Sequence, residues 1–156
     1  MKKKLVSTKA IAENRQARYN YSINTEIECG IVLTGTEIKS MRVAKINIRE
    51  SYANVESAEF WLINSHIPNY DKAKTFTHEE RRKRKLLVSK RELSKLWKHQ
   101  GREGMALIPL KVYFNSKGFA KILIGVGKGK KLADKRETEK KRDWQKQKSR
   151  LLREKN

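Results

Sequence analysis

Between residues 21 and 33 apolar and polar side chains alternate. Tyr21, Ile23, Ile27, Cys29, Ile31 and Leu33 take one face, and Asn20, Ser22, Asn24, Glu26 and Glu28 take the other. A period of two predicts a long half-buried strand, its polarity interrupted only at Thr25. Gly30 within it predicts a bulge or sharp bend of the kind found in small barrels. Thr34-Gly35-Thr36-Glu37 reads as a capping box that opens a short helix through Met41. Residues 46–55 and 59–67 read as two more strands about a turn at Glu56-Ser57-Ala58, and residues 68–80 as loop. Ser89-Lys90-Arg91-Glu92 is a second capping box. It opens a helix with Leu93, Leu96 and Trp97 as its apolar stripe and Gly101 as its stop. Residues 106–114 and 119–126 complete the strands, joined by the hairpin loop Asn115-Ser116-Lys117-Gly118.

After Val126 the apolar positions nearly vanish, leaving Leu132, Ala133, Trp144, Leu151 and Leu152. The remaining residues are good helix formers, and Glu137 and Lys141 make an i,i+4 pair of favourable polarity. No stripe is available to dock such a helix on a core, and alone in water it is marginal. The expected organisation is a basic, partly ordered arm over 1–19, a head over 20–126, and a basic tail over 127–156. The tail is expected to be disordered when free and helical from about Leu132 when bound. Five or six strands with short helices between them predict a mainly β head, a small closed or partly open barrel of the OB type.

Composition narrows the partner. The 156 residues carry a formal net charge of +21, with 35% charged residues. Self-repulsion on that scale is relieved by an anionic partner, and nucleic acid gains further from counterion release. A membrane surface would require an apolar helix face or a lipidation signal, and neither is present in the sequence. Cys29 is the single cysteine, so no intrachain disulfide forms, and a reducing, cytoplasmic setting is expected. No run approaches membrane-span length, and the basic Lys2-Lys3-Lys4 start lacks the apolar stretch of a signal peptide.

Catalytic and metal patterns fail. His78-Glu79-Glu80-Arg81-Arg82 starts like a zinc-protease motif, but Arg82 stands where the second histidine belongs. His66 and His99 are isolated, so no metal or other cofactor is expected, and no enzyme activity. The glycines and lysines at 125–131 lack P-loop spacing. Cys29 on an apolar face reads as a buried inert thiol. The cluster Arg81-Arg82-Lys83-Arg84-Lys85 is either a solvated charged face or a nucleic-acid contact. Its tether to Leu86-Leu87 favours the contact. Glu28 and Glu37 read either as local salt bridges or caps, or as acceptors from the amines of unpaired bases. Trp144, a lone tryptophan among lysines, reads as a stacking or packing residue.

Several stretches in order resemble the SmpB (small protein B) family, the bacterial tmRNA-binding proteins of trans-translation. They are Asn14-Arg15-Gln16-Ala17-Arg18, the run Gly30 to Ser40 containing Thr34-Gly35-Thr36-Glu37-Ile38-Lys39, Glu50-Ser51-Tyr52, Arg84-Lys85-Leu86-Leu87, and Gly127-Lys128-Gly129-Lys130-Lys131 followed by Asp134-Lys135-Arg136. The resemblance implies an OB-type barrel holding the tRNA-like domain of tmRNA, and a tail that enters the empty mRNA channel of a stalled ribosome. It implies RNA contacts at Asn14, Arg15, Arg18, Glu28, Lys39, Arg84, Lys85 and Leu87. For the tail it implies decoding-centre contacts at Gly127, Lys128, Lys130, Lys131, Asp134, Lys135, Arg136 and Trp144. The implied partners are tmRNA, small-subunit rRNA, the large subunit and, through tmRNA, elongation factor Tu; the protein itself is expected to be a monomer. Tyr19-Asn20, Glu80 and Ala133 depart from the family pattern. The rival from another class is a structural ribosomal protein that clamps rRNA with a head and a basic extension.

Overall fold

The computed structural model describes residues 9–44, 46–102 and 104–154. Its elements in chain order are β1 (Ala10–Glu13), α1 (Ala17–Asn20), β2 (Tyr21–Ile31), α2 (Gly35–Val43), β3 (Tyr52–Glu56), β4 (Glu59–Ile63), β5 (Arg84–Leu87), α3 (Lys90–Gln100), β6 (Met105–Phe114), β7 (Ala120–Gly129) and α4 (Leu132–Glu154). The chain joins the fold earlier than the alternation alone indicates. Ala10–Glu13 adds a strand to β6, and Ala17 of α1 packs on Ile108 and Leu110. The expected arm is therefore part of the sheet from Ala10 onward, while Lys2, Lys3 and Lys4 lie outside the described residues.

The long strand forms as predicted, but its irregularity is elsewhere. The register of β2 against β7 shifts between Ile23 and Thr25, where the polarity breaks, whereas Gly30 is paired on both sides, to Lys121 and Leu87. Gly30 leaves close room for the neighbouring strand: a Cβ there would lie 3.3 Å from the Leu87 Cβ, a tight contact. Both capping boxes are present, Glu37 reaching back to the Thr34 N–H at 2.9 Å and Glu92 to the Ser89 N–H at 3.0 Å. The expected strand over 46–55 is only half extended. Ile46 and Ile48 enter the core, Asn47 makes an isolated bridge to His66, and the ladder begins at Tyr52. Asn64, with φ 63, ends β4 four residues before the expected limit.

Among the described residues the antiparallel strands form one seven-stranded sheet in the order β1-β6-β7-β2-β5-β4-β3. No ladder joins its edges, β1 and β3. The sheet nonetheless curls, because Ser51–Asn54 and Met105–Ile108 line one cleft of about 490 Å³. On the edge strand β3, Gln100 satisfies backbone that lacks a strand partner. Its Oε1 accepts the Val55 N–H at 2.7 Å, and its Nε2 donates to the Val55 carbonyl at 3.2 Å. The core lies on the inner side of the sheet, around Cys29, Phe60, Leu62, Leu86, Leu96, Ile122 and Ile124. Burial, with smaller effects from Glu92 and Glu28, pushes the Cys29 thiol up to about 12.

β7 runs to Gly129, beyond the expected head boundary at Val126. Gly127 pairs with Ile23 and Ala106, and Lys128 with Ser22 and Met105. A Cβ on Gly127 would collide with the Ser22 carbonyl oxygen, so glycine is required by close backbone approach. Gly127 and Lys128, assigned to the tail by sequence, are thus structural members of the sheet. α4 follows with no buried residue. It meets α1 in two ways: Lys130, just before the helix, donates from Nζ to the Arg18 carbonyl at 2.9 Å and to Thr138 Oγ1 at 3.2 Å, and the Tyr19 hydroxyl donates to Glu139 Oε1 at 2.7 Å.

Candidate nucleic-acid interface

The outer side of β2, β7 and β6 is where several sequence-selected residues meet. Antiparallel register places Glu28, Leu123, Lys111 and Glu13 in one row across four strands. Two residues along, Leu87, Gly30, Lys121, Tyr113 and Ala10 form the next row on the same face. Since side chains alternate along a strand, Cys29 and Leu86 point inward while Glu28 and Leu87 point outward. Leu87 is 53% exposed, an apolar side chain presented beside a carboxylate. The Tyr113 hydroxyl donates to Glu28 Oε2, and burial with that carboxylate raises the phenol above its ordinary value. Lys111 lies over the Tyr113 ring at 5.4 Å. Tyr113 is itself only 6% exposed, so it orients the carboxylate and does not present its ring. The patch therefore offers an oriented carboxylate, lysines and a leucine, a set that can bind unpaired bases and their phosphates.

At one end of the patch is a hollow of about 270 Å³, lined by Glu13, Asn14, Arg15, Arg18, Leu110, Lys111, Leu123 and Arg142. Arg15 and Arg18 are exposed, Arg18 being paired with Glu26. Asn14, an RNA contact implied by the resemblance, is enclosed rather than presented to solvent. It is 7% exposed, and its backbone N–H donates to the Leu110 carbonyl at 2.8 Å, which fixes the chain between β1 and α1.

The cationic run at 81–85 is organised differently from the sequence reading. A strand sends successive side chains to opposite faces, so the run splits. Arg82 and Arg84 turn toward Glu37, which has no exposed surface. Arg82 Nη2 donates to Oε2 at 2.8 Å and Arg84 Nε to Oε1 at 3.0 Å. Arg84 is 0% exposed and also donates to the Ser65 and Glu80 carbonyls, at 2.8 and 3.1 Å. Its expected phosphate contact is thereby corrected: the guanidinium is a buried cross-link between β5, α2 and the loop before β5. Burial alone would raise the Glu37 carboxyl, but hydrogen bonds from Arg82 and the Thr34 N–H and the charges of both arginines outweigh it. The carboxyl is held below its usual range. Lys83 and Lys85 face the other way, to Glu56 and Glu59, with Lys85 Nζ 2.6 Å from Glu59. Lys39 is exposed on α2, away from these pairs.

On α4 the described side chains of Asp134, Arg136 and Trp144 are exposed, and Lys135 sits 5.9 Å from the Tyr19 ring centre. Trp144, Leu151 and Leu152 stand at i, i+7 and i+8, a short apolar stripe that the scarcity of apolar residues concealed. Tyr113 and Lys111 were also missed by sequence reasoning. Register against Glu28 is their only signal, and register is not visible before strands are paired. His78 is buried, its Nδ1 3.0 Å from Thr36 Oγ1 and its Nε2 3.0 Å from the Ile67 carbonyl, which makes it structural. Among the described residues no group of three or more His, Cys, Asp and Glu could hold a metal, and no helix is long and apolar enough to cross a membrane.

Known proteins resemble this chain over almost its whole length. A family model described as SmpB protein matches residues 11–154. A protein of Paracoccus denitrificans called SsrA-binding protein is 60% identical over 146 residues, which covers 94% of each chain. Its namesake from Roseobacter denitrificans is 59% identical, over 94% of this chain and 90% of its own. Among solved structures, a chain reported under "tmRNA-SmpB: a journey to the center of the bacterial ribosome" superposes with a TM-score of 0.65. It is 45% identical, over 78% of this chain and 85% of that one.

Proposed function

The chain belongs to the SmpB family, and from that premise we propose that it binds the tRNA-like domain of tmRNA and positions it in the A site of stalled bacterial ribosomes for trans-translation. The carrying observation is the near-full-length match at 59–60% identity, which takes in head and tail together. The protein does no bond chemistry; it supplies shape, charge and stacking. Its curled seven-stranded sheet works as a partly open OB-type barrel, a reading supported by the shared cleft between β3 and β6. The outer face with Asn14, Arg15, Arg18, Glu28, Lys85 and Leu87 receives tmRNA, with Asn14 shaping the site through its backbone and Lys39 adding charge. The tail, from Lys130 through Trp144, occupies the mRNA channel at the decoding centre. It orders fully only there, because α4 buries none of its side chains on the head. The setting is the cytoplasm, the protein acts as a monomer, and elongation factor Tu is met through tmRNA.

RNA crosslinked to the purified protein in cells and sequenced is expected to be dominated by tmRNA, with the protein substoichiometric on washed ribosomes. Uniform rRNA crosslinks at one copy per ribosome would assign it instead to the ribosome's permanent structure. Within the interface, Glu28→Ala should weaken binding of the tRNA-like domain by about 1–3 kcal/mol, the range of a directly read base contact. Glu28 is exposed, so its thermal midpoint should stay near wild type. Tyr113→Phe should show a smaller loss, since it frees the carboxylate without removing it. Binding lost in proportion to unfolding would make the Glu28–Tyr113 pair structural.

A further inference from the structure

α3 was expected to bury Leu93, Leu96 and Trp97, yet only Leu96 is fully enclosed. Trp97 is 59% exposed and Leu93 half-buried. Lys90, Leu93, Ser94 and Trp97, at i, i+3, i+4 and i+7, share one helix face. Opposite them stand Val55, Ser57 and Ala58, and the two walls enclose a hollow of about 390 Å³. Ser57 and Ala58 are held at φ 49 and 59, a left-handed conformation that non-glycine residues rarely adopt. Their small side chains at the tip of the β3–β4 hairpin leave the indole uncovered.

The charge around this hollow is one-sided. α3 carries Lys90, Arg91, Lys95 and Lys98 against the single carboxylate of Glu92. Glu92 is engaged by the Ser89 N–H at 3.0 Å, and on the hairpin Glu56 and Glu59 are bound by Lys83 and Lys85. None of the four α3 cations is paired with a carboxylate among the described residues. Arg91, Ser94 and Lys98 form the helix row next to Trp97, so cations flank the ring. An exposed indole beside an apolar shelf, edged by unpaired cations, has the chemistry for an unstacked base with its phosphates on the lysines and arginine.

Orientation separates this site from the face already described. Leu96 anchors α3 to the inner side of the sheet, whereas Glu28 and Leu87 project from the outer side. We infer that α3 is a second RNA-binding surface, with Trp97 stacking on an unpaired nucleotide of ribosomal RNA while the outer face holds tmRNA. The choice of ribosomal RNA rests on the tmRNA reading above.

The test titrates purified ribosomes with the full-length protein, alone and in complex with tmRNA. Trp97→Ala should weaken ribosome binding about tenfold, within the range of one lost base stack. Trp97→Phe should restore most of it. Lys90→Gln, Arg91→Gln and Lys98→Gln together should flatten the slope of log affinity against log salt by about 2. Affinity for isolated tmRNA and the thermal midpoint should stay at wild-type values for all variants. Unchanged ribosome binding by Trp97→Ala would overturn the inference, as would an equal loss of tmRNA affinity. Full binding by Trp97→Leu, which keeps the apolar contact without a ring, would overturn it in favour of a protein partner. If wild-type protein failed to bind tmRNA, the tmRNA reading would fall, while the protein-alone titration would still decide the role of α3.

Discussion

Glu37→Gln should cost about 3–5 kcal/mol of folding stability, the range for removing one partner of a buried ion pair. The neutral amide keeps the volume but leaves Arg84, with no exposed surface, without its counter-charge, and weakens the hold on Arg82. The charged acceptor of the Thr34 N–H becomes a neutral amide, so the cap at the start of α2 weakens in the same step. Denaturant unfolding of the full chain, with the slope checked for two-state behaviour, measures the effect. Adding Arg84→Met to Glu37→Gln should recover part of the loss, because two neutral groups replace an orphaned charge. The wild type also carries a pH signature. Its Glu37 carboxyl lies below the ordinary glutamate value of about 4.3, so the contribution is complete above that pH and fades as pH falls through the lower folded value. The Gln variant should lack this acid-side slope. A loss under about 1 kcal/mol would mean that the arginines find water or other acceptors at little cost.

Cutting the chain after Lys131 should leave the head folded and competent for tmRNA, yet abolish peptidyl transfer to tmRNA on ribosomes stalled without a codon. The position of the cut matters. Ending at Val126 would remove Gly127, Lys128 and Gly129, which pair with β2, and would confuse loss of fold with loss of tail. Beyond Lys131 no described residue is buried, so the head loses little besides the Tyr19–Glu139, Lys135–Tyr19 and Lys130–Thr138 contacts. α4 holds nine Lys and Arg against five Asp and Glu, so an RNA channel can neutralise its excess charge as it orders the helix. Trp144→Ala should give a milder version of the same defect, about 1–3 kcal/mol if its ring stacks on a base. Normal transfer by the truncated protein would remove the tail from the decoding role. Failure of the truncated protein to bind tmRNA would instead place the tail in the primary interface.

The parts of this fold legible in sequence are those with a local cause. Both capping boxes, the β6–β7 hairpin and the long strand β2 follow from neighbouring residues, and each forms. β5 was hidden because its alternation is written in charges: Arg84 faces inward and Lys85 outward, so no hydrophobic period exists to detect. Burial of Arg84 depends on Glu37, 47 positions away, and no local pattern signals a partner at that distance. The outer RNA face divides likewise. Glu28 was selected for its place on a polar strand face, but Tyr113 and Lys111 join it only through pairing across β7. Asn14 is buried although its neighbours Glu13 and Arg15 are exposed and charged; the residue that receives its N–H, Leu110, is far along the chain.

The single cysteine gives the protein a built-in clock for opening. Cys29 sits near the end of β2, two residues before Ile31, with no exposed surface, and its thiol is pushed up to about 12, so an alkylating reagent at neutral pH meets neither access nor thiolate while the core is closed. Labelling can proceed only when the core around Cys29, which includes Leu86 of β5, Leu96 of α3 and Ile122 of β7, separates far enough to admit reagent. Under conditions where reclosing outruns labelling, the labelling rate reports the free energy of that separation. Followed with and without bound RNA, the same thiol measures how firmly a ligand on the outer face of the sheet clamps its inner side, with no probe introduced into the chain.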